Sequence, residues 1–211
     1  MPDINLLNMD CMDYMRSLPN NAFELAIVDP PYSWNSGNAF TSRLKRYGSL
    51  DFNNHRPTPE YFDQLRRVSV NQIVWGGNYF LADLGDTKCL LVWDKHQPVK
   101  TYARIECAWT SFGDRHAQLI DLPYFGAHGR DADRCHPNQK PVQLYRHLLR
   151  DHAKPGDRIL DTHLGSGSSA IAAHYAGHDF VGIELDEDYF NAASKRIEEA
   201  TRQIDIFSEA S

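Results

Sequence analysis

Short, nearly continuous apolar runs recur along the chain, and they constrain its fold more than any other feature. Runs of this kind are typical of strands that are buried on both faces of a largely parallel sheet. They predict strands at residues 4–8, 25–28, 72–75, 89–93, 105–110, 158–160 and 180–183, with a possible short strand at 118–122. Helical patterns lie at residues 59–68, 141–152, 168–175 and 187–201. The sequence therefore predicts an α/β fold, with helices on both faces of a mostly parallel sheet of about seven strands.

Composition places the chain among globular proteins. It is 42% hydrophobic and 24% charged, which excludes intrinsic disorder, and residues 1–211 are expected to form one domain. No apolar run is long enough to span a bilayer, and the N-terminus lacks the basic start of a secretory signal. The four cysteines form no Cys-x-x-Cys pair, and the ten histidines show no metal-ligand spacing. We therefore expect a cytoplasmic protein with no membrane association and no metal.

Two segments are locally basic, although the net charge of the chain is −6. They are residues 33–59 and 125–150, and they contain Arg43, Lys45, Arg46, Arg130 and Arg134. Such segments can line a phosphate-binding face, but charge alone favours two solvated loops. Residues 33–57 also form a long polar stretch with no helix or strand pattern. Loops of that length in a compact domain are usually functional or mobile.

The tetrapeptide Asp29-Pro30-Pro31-Tyr32 directly follows a predicted strand. Ligands of α/β sheets bind at the C-terminal ends of the strands, and two prolines hold the backbone there rigid and extended. The Asp29 carboxylate and the Pro30 carbonyl can both accept hydrogen bonds from a planar amino group, while Tyr32 offers a flat face to a base. Paired acceptors favour the charge that develops on an exocyclic amine as it attacks an electrophile. The tetrapeptide therefore predicts chemistry on a nucleobase amino group.

Two further motifs lie in the C-terminal part of the chain. Residues 157–170 read DRILDTHLGSGSSA, a predicted strand followed by a glycine-rich turn and a helix, and Glu184 ends the next predicted strand. Glycines allow the backbone to approach a ligand closely, and an acid at the end of the second strand can reach ribose hydroxyls. Taken alone, this pattern also fits a dinucleotide-binding fingerprint. Residues 136–141, HPNQKP, begin the predicted helix before the turn.

Together these motifs resemble the S-adenosylmethionine-dependent DNA amino-methyltransferases of the circularly permuted beta class. In that family a DPPY motif precedes a cofactor region with HPTQKP, D-P-F-x-G-S-G-T and G-I-E in order. The corresponding residues here are DPPY, HPNQKP, DTHLGSGS and GIE, and WGGNYF, LVWDK and AWTSF also match. The resemblance covers roughly residues 4–200. It implies a Rossmann-like methyltransferase fold, S-adenosylmethionine as cofactor, DNA as partner and possible pairing into a homodimer.

The resemblance also implies roles for individual residues. Asp29, Pro30, Pro31 and Tyr32 would form the catalytic site. The cofactor-binding residues would be Asp10, Cys11, Asp29, Lys140, Asp161, His163, Gly165, Gly167, Ser168 and Glu184. Within this set the glycine turn and Asp161 would hold the methionine part, Glu184 the ribose hydroxyls and Asp10 the adenine amino group. His163 stands where the family usually has a phenylalanine, and Ser168 stands where threonine is common.

DNA contacts are expected from the two basic segments and the residues around the motifs. The candidates are Ser33, Trp34, Asn35, Arg43, Lys45, Arg46, Arg130, Arg134 and His136. Members of the family usually carry a target-recognition region before the HPNQKP position, and only residues 113–135 are available for it here. We therefore expect a short recognition sequence or a loose context preference.

Several alternatives remain open at this stage. In the family an aspartate before Pro-Pro-Tyr goes more often with adenine and a serine with cytosine, so adenine is favoured and cytosine is the alternative. An RNA amino-methyltransferase would use the same chemistry. A dinucleotide-binding oxidoreductase would explain the glycine turn but gives DPPY and HPNQKP no role. A DNA-binding module without activity is disfavoured because residues 29–32 and Glu184 are intact.

Overall fold

The computed structural model describes residues 1–32, 56–98, 103–124, 135–136 and 138–208, with residues 203–208 described by their backbone only. The strands are β1 (Ile4–Asn8), β2 (Phe23–Val28), β3 (Ser69–Trp75), β4 (Leu91–Asp94), β5 (Ile105–Thr110), β6 (Gln118–Asp121), β7 (Ile159–Asp161) and β8 (Phe180–Glu184). The helices are α1 (Cys11–Ser17), α2 (Pro59–Val68), α3 (Leu81–Leu84), α4 (Val142–His152), α5 (Ser168–Ala176) and α6 (Glu187–Ser208). A short 3₁₀ helix covers Gly77–Tyr79.

The local sequence explains where several helices begin and end. Asp10 caps α1, because its Oδ1 accepts a hydrogen bond from the backbone N–H of Met12 at 2.7 Å. Pro59 begins α2 and Pro141 precedes α4, where the missing N–H of proline costs no helical hydrogen bond. Helix α5 ends at Gly177, whose φ of 78° is a left-handed conformation that glycine adopts without strain.

The eight strands form one sheet in the order β1-β8-β7-β2-β3-β5-β4-β6. Neighbours from β1 to β3 in this order are parallel, β5 is antiparallel to both β3 and β4, and β6 is parallel to β4. The strand before the glycine-rich turn, β7, lies directly beside the strand before DPPY, β2. The C-terminal ends of the parallel strands therefore meet at one edge of the sheet, together with the N-terminal end of β5.

Two apolar layers pack against the sheet, one on each face. In β2, Leu25 and Ile27 belong to the layer that contains α4, α5 and α6, whereas Ala26 and Val28 belong to the layer that contains α1 and α2. This alternation follows from the two-residue period of a strand. Because helices cover both faces, all four side chains are buried. The arrangement explains why β2 reads as a continuous apolar run.

The structure confirms the predicted α/β fold with helices on both faces, but the sheet has eight strands instead of about seven. The additional strand is β6, at the edge of the sheet, where the possible short strand was expected. Its side chains alternate between half-buried and exposed, so no apolar run marks it. The sequence pattern predicts no helix at α1, because its seven residues are too few to show a helical period. Helix α6 continues past its predicted end at residue 201 to Ser208.

None of the helices that the structure describes is both long enough and apolar enough to cross a membrane.

Candidate functional site

Four carboxylates lie where parallel strands end. Asp10 follows β1, Asp29 follows β2, Asp161 ends β7 and Glu184 ends β8. Because these four strands are consecutive in the sheet, residues from both ends of the sequence reach the same edge. This is the edge at which α/β sheets bind their ligands. The fold therefore brings together the predicted catalytic aspartate and the predicted cofactor-binding acids.

The carboxylate of Glu184 is held by two backbone amides. Its Oε2 accepts a hydrogen bond from the N–H of Gly165 at 2.9 Å, and its Oε1 accepts one from the N–H of Asp186 at 3.1 Å. Gly165 has a φ of 53°, which favours glycine at this point of the turn. Burial raises the pKa of Glu184, although the two amides favour its ionised form. Each of its oxygens can accept one more hydrogen bond, which suits the side chain to binding hydroxyl groups.

Asp161 is a buried acid with two internal partners. Its Oδ1 accepts a hydrogen bond from the N–H of His163 at 3.0 Å, and its Oδ2 accepts one from Oγ of Ser169 at 2.6 Å. Asp161 is only 2% exposed to solvent. Burial raises its pKa to about 7, more than these hydrogen bonds lower it. Asp161 is therefore poised between its protonated and ionised forms at neutral pH.

Asp29 pairs with Lys140. Its Oδ2 accepts a hydrogen bond from Nζ of Lys140, and the lysine side chain is 6% exposed. The other oxygen, Oδ1, is buried and has no hydrogen-bond partner within the described part of the chain. An unpaired buried acceptor costs about 1–3 kcal/mol, so it marks a place where a donor from a bound molecule fits.

The ionisation of this pair is set by burial and by the opposite charges. Burial raises the pKa of Asp29, and the positive charge of Lys140 opposes that rise. Burial acts to lower the pKa of Lys140, but the carboxylates of Asp29 and Glu106 outweigh it and raise the pKa well above its usual value. Lys140 is therefore positively charged at neutral pH.

Two charged residues that the motifs did not single out extend this pair. Glu106 Oε2 lies 3.5 Å from Nζ of Lys140, and Glu106 Oε1 lies 2.7 Å from Nζ of Lys95. Lys95 closes the LVWDK match and directly follows β4, while Glu106 lies in β5, the antiparallel neighbour of β4. Lys95 has a sequence signal in the LVWDK match and Glu106 has none, so their contact follows only from the pairing of β4 with β5.

Tyr32 forms an aromatic stack beside Asp29. Its ring lies 4.7 Å from the ring of Tyr79, centroid to centroid, with 15° between the planes. Both residues are partly exposed, at 38% and 43%. A Cβ on Gly76 would lie 2.7 Å from the Tyr32 ring, so glycine at that position leaves room for the ring. Tyr79 belongs to the WGGNYF match, which gave no role to this residue.

The second half of the glycine turn faces helix α6. A Cβ on Gly167 would lie 2.7 Å from Cδ1 of Ile197, so this glycine allows the turn and α6 to pack closely. Ser168 is buried, and its hydroxyl contacts Oγ of Ser166 at 3.1 Å and accepts a hydrogen bond from Nη1 of Arg196 at 3.0 Å. The structure thus places Gly167 and Ser168 where they stabilise the turn against α6.

His163 takes part in a chain of hydroxyl groups. Its Nδ1 lies 2.9 Å from Oγ1 of Thr162, which in turn lies 2.6 Å from the hydroxyl of Tyr61 in α2. Burial lowers the pKa of His163 to about 4, so the ring is neutral at neutral pH. A phenylalanine at this position could not join this chain. The substitution of histidine for the family's usual phenylalanine is therefore matched by polar neighbours.

The remaining candidates divide into two groups. Cys11 begins α1, and its burial raises the pKa of the thiol to about 12, so the side chain stays neutral. His136 packs edge-on against the Tyr189 ring, 4.7 Å away, and lies near the turn at Gly165. Outside the described residues lie Ser33, Trp34, Asn35, Arg43, Lys45, Arg46, Arg130 and Arg134, together with most of the predicted loop 33–57 and residues 125–134.

A family model matches this chain. The model of the N6/N4 DNA methylase family, described as DNA methylase, matches residues 85–195. The chain is also 28% identical to YubD of Escherichia coli strain K12, which is described as a methylase; the match covers 92% of this chain and 90% of YubD.

Structures of known proteins share the fold. The crystal structure of the M1.HpyAVI–SAM complex has a TM-score of 0.62 and 19% identity, over 92% of this chain and 99% of that chain. PvuII DNA methyltransferase, which is specific for cytosine N4, also has a TM-score of 0.62, with 11% identity over 97% of this chain and 93% of that chain. At these identities the likeness establishes the methyltransferase fold.

Proposed function

The chain belongs to the N6/N4 DNA methylase family, and from this premise we propose that it transfers a methyl group from S-adenosylmethionine to the exocyclic amino group of adenine in DNA. The observation that carries the proposal is the buried Oδ1 of Asp29, which has no hydrogen-bond partner among the described residues, beside the exposed Tyr32. The aspartate before Pro-Pro-Tyr supports adenine, and methylation of cytosine N4 is the alternative.

The residues at the sheet edge fit S-adenosylmethionine. When bound, the cofactor supplies an electrophilic methyl group on a positively charged sulfur. A site with acids at the ends of β7 and β8 suits a cation, and both Asp161 and Glu184 are held in place by internal hydrogen bonds. We propose that Glu184 binds the ribose hydroxyls, that Asp161 and the turn at Gly165 bind the methionine part, and that Asp10 accepts from the adenine amino group.

Asp29 and Tyr32 would receive the target base. Oδ1 of Asp29 can accept a hydrogen bond from the target amino group, and the carbonyl of Pro30, held by a rigid backbone, would be the second acceptor. Both acceptors stabilise the positive charge that develops on the amino nitrogen as it attacks. Tyr32 would stack on the target base after the base has flipped out of the DNA duplex. Flipping the base costs a few kcal/mol.

The decisive experiment compares the wild-type protein with Asp29→Ala. Purified protein is incubated with tritiated S-adenosylmethionine and with DNA, RNA or neither, and the modified nucleoside is identified by mass spectrometry after digestion. We expect N6-methyladenine from DNA with the wild-type protein. Removing one preorganised polar partner costs about 2.7–4 kcal/mol, so Asp29→Ala should lower the rate at least a hundredfold.

Asp63→Ala is the matched control, because Asp63 lies on the exposed side of α2. Affinity for S-adenosylhomocysteine is expected to remain near the wild-type value in both variants. If the product is N4-methylcytosine, the target base is cytosine instead of adenine. Near-normal turnover of Asp29→Ala would show that Asp29 is not a catalytic residue.

A further inference from the structure

Four side chains form a row of alternating charge that begins at Asp29, the proposed catalytic acid. The row is Asp29, Lys140, Glu106 and Lys95, in that order, and each member contacts the next. Their side chains are 18%, 6%, 27% and 12% exposed. The formal charges of the row sum to zero, so each buried charge faces an opposite one.

Lys140 is held from three sides. Asp29 accepts its hydrogen bond, Glu106 Oε2 lies 3.5 Å from its Nζ, and the Trp75 ring lies 5.4 Å from the same Nζ. Burial acts to raise the pKa of Glu106, but Lys140 and Lys95 outweigh it and hold this pKa below the usual value. Glu106 is therefore ionised at neutral pH, and it gives the buried ammonium a second negative neighbour.

The row holds the carboxylate of Asp29 in one orientation. Because Lys140 occupies Oδ2, Oδ1 remains as the buried oxygen without a partner within the described residues. If Lys140 were free to move, the carboxylate plane could rotate about the Cβ–Cγ bond, and the unpaired oxygen would leave its present position. The position of Lys140 therefore fixes the acceptor that Asp29 presents, and that position depends on Glu106.

We propose that Glu106 is a positioning residue for methyl transfer: it anchors Lys140 so that Asp29 presents Oδ1 to the target amino group, and Lys95 anchors Glu106 in turn. This inference rests on the proposed function, since it assigns Oδ1 of Asp29 to the target amine. Glu106 acts through Lys140 and touches neither the base nor the cofactor.

The first test is single-turnover methylation of DNA by Glu106→Gln, which keeps the size of the side chain and removes its charge. A small displacement of a reacting group can cost on the order of a hundredfold in rate, so we expect the methylation rate to fall on the order of tenfold to a hundredfold. The Kd values for S-adenosylhomocysteine and for DNA should stay within about twofold of the wild type, because ground-state binding does not use Glu106.

Lys95→Met and the double variant Lys95→Met/Glu106→Gln test whether Lys95 acts through Glu106. If Lys95 acts only through Glu106, the double variant is no slower than Glu106→Gln alone. Arg104→Gln is the matched control, because Arg104 directly precedes β5, is 71% exposed and pairs with Asp94 at the end of β4, 3.0 Å away. It should methylate DNA at the wild-type rate.

A second readout does not depend on turnover. In the free protein, the ¹⁵N signal of the Lys140 ammonium should be protected from hydrogen exchange, and Lys140→Met identifies the signal by removing it. We expect Glu106→Gln to abolish this protection. A protected signal in Glu106→Gln would overturn the anchoring role.

Three kinetic outcomes would also overturn the inference. The first is a wild-type methylation rate in Glu106→Gln. The second is a slower Glu106→Gln whose Kd values for S-adenosylhomocysteine and DNA rise in proportion to the loss of rate. The third is a double variant whose loss of rate equals the product of the losses of the two single variants. If the wild-type protein methylates no nucleic acid, the proposed function fails, and the exchange of the Lys140 ammonium still decides whether Glu106 anchors it.

Discussion

Replacing Asp161 by asparagine should stabilise the protein, and the gain should grow with pH. Burial raises the pKa of Asp161 from 3.8 to about 7. The folded state thus binds the proton of Asp161 more tightly than the unfolded state, so this residue lowers the free energy of unfolding as pH rises from about 4 to 7. A shift of that size corresponds to about 4 kcal/mol above pH 7, at 1.36 kcal/mol per pKa unit.

Asparagine can keep both internal contacts of Asp161. Its carbonyl oxygen can accept from the N–H of His163, and its amide can donate to Oγ of Ser169, which are the two groups that Asp161 contacts now. The variant therefore removes the ionisation without creating a cavity, and Oγ of Ser169 changes from donor to acceptor in this contact. We expect its advantage over the wild type to increase by about 2–3 kcal/mol between pH 5 and pH 8, with the wild type losing stability over that range.

The assay is urea unfolding of the free protein, followed by circular dichroism at intervals from pH 5 to pH 8. Asp13→Asn, on the exposed face of α1, controls for the loss of one formal charge. A constant difference between Asp161→Asn and the wild type across this range would refute the reasoning, because Asp161 would then ionise alike in both states. The same variant should bind S-adenosylhomocysteine at least tenfold more weakly, since a hydrogen bond to a charged group contributes about 1.5–3 kcal/mol.

Three further predictions follow from the site. Glu184→Ala should weaken binding of S-adenosylhomocysteine in a calorimetric titration while leaving DNA affinity unchanged, because charge-assisted hydrogen bonds to the ribose are lost. Unchanged cofactor affinity would mean that another acid, such as Asp186, binds the ribose. A 2-aminopurine at the target position should brighten when the wild-type protein binds, and Tyr32→Ala should weaken that response; no brightening despite confirmed binding would contradict base flipping. Affinity for duplex DNA should fall with salt at a log–log slope of roughly −0.9 per phosphate contacted, and methylation of a random-sequence library should reveal a short or loose site. A strict site of about six or more base pairs read by a monomer would contradict that expectation. The sequence offers only residues 33–57 and 113–135 for groove contacts, and residues 118–121 of the second segment are paired in the sheet as β6.

The sequence predicts the sheet well because most strands are buried on both faces. In an α/β domain, an apolar run such as β2 indicates a strand buried on both faces. The predicted bounds of β2 lie within two residues of the observed ones. The sheet edge is harder to predict, because β6 is half-exposed and its burial depends on β4 rather than on its own pattern. Helix α1 is held by its Asp10 cap and by packing of Met15, and both are visible only after β1 and α2 have been placed.

Some residues of the candidate site can be predicted from the sequence, and others depend on how the strands and helices pack. Asp29, Asp161 and Glu184 stand directly at strand ends, so their convergence follows from the parallel order of the strands. Glu106 and Lys95 depend on the antiparallel pairing of β5 with β4, which no motif encodes. Ser168 carries the hydroxyl that its motif requires, yet its contacts are made to Arg196 of α6. A motif therefore predicts the residue type at a position, while the direction of the side chain depends on distant packing.

The raised pKa values at the sheet edge link the stability of this fold to its activity. Burial raises the pKa of Asp29, Asp161 and Glu184, so each acid destabilises the free protein when it is ionised. A positively charged cofactor would favour the ionised forms, because opposite charges attract more strongly in a site of low dielectric. Lys140 already neutralises Asp29, whereas within the described residues the hydrogen-bond donors to Asp161 and Glu184 are uncharged. Asp161 and Glu184, which pair with no cation in the described part of the chain, are therefore the acids that gain most from cofactor binding. Neutralising either should increase stability while it weakens that binding.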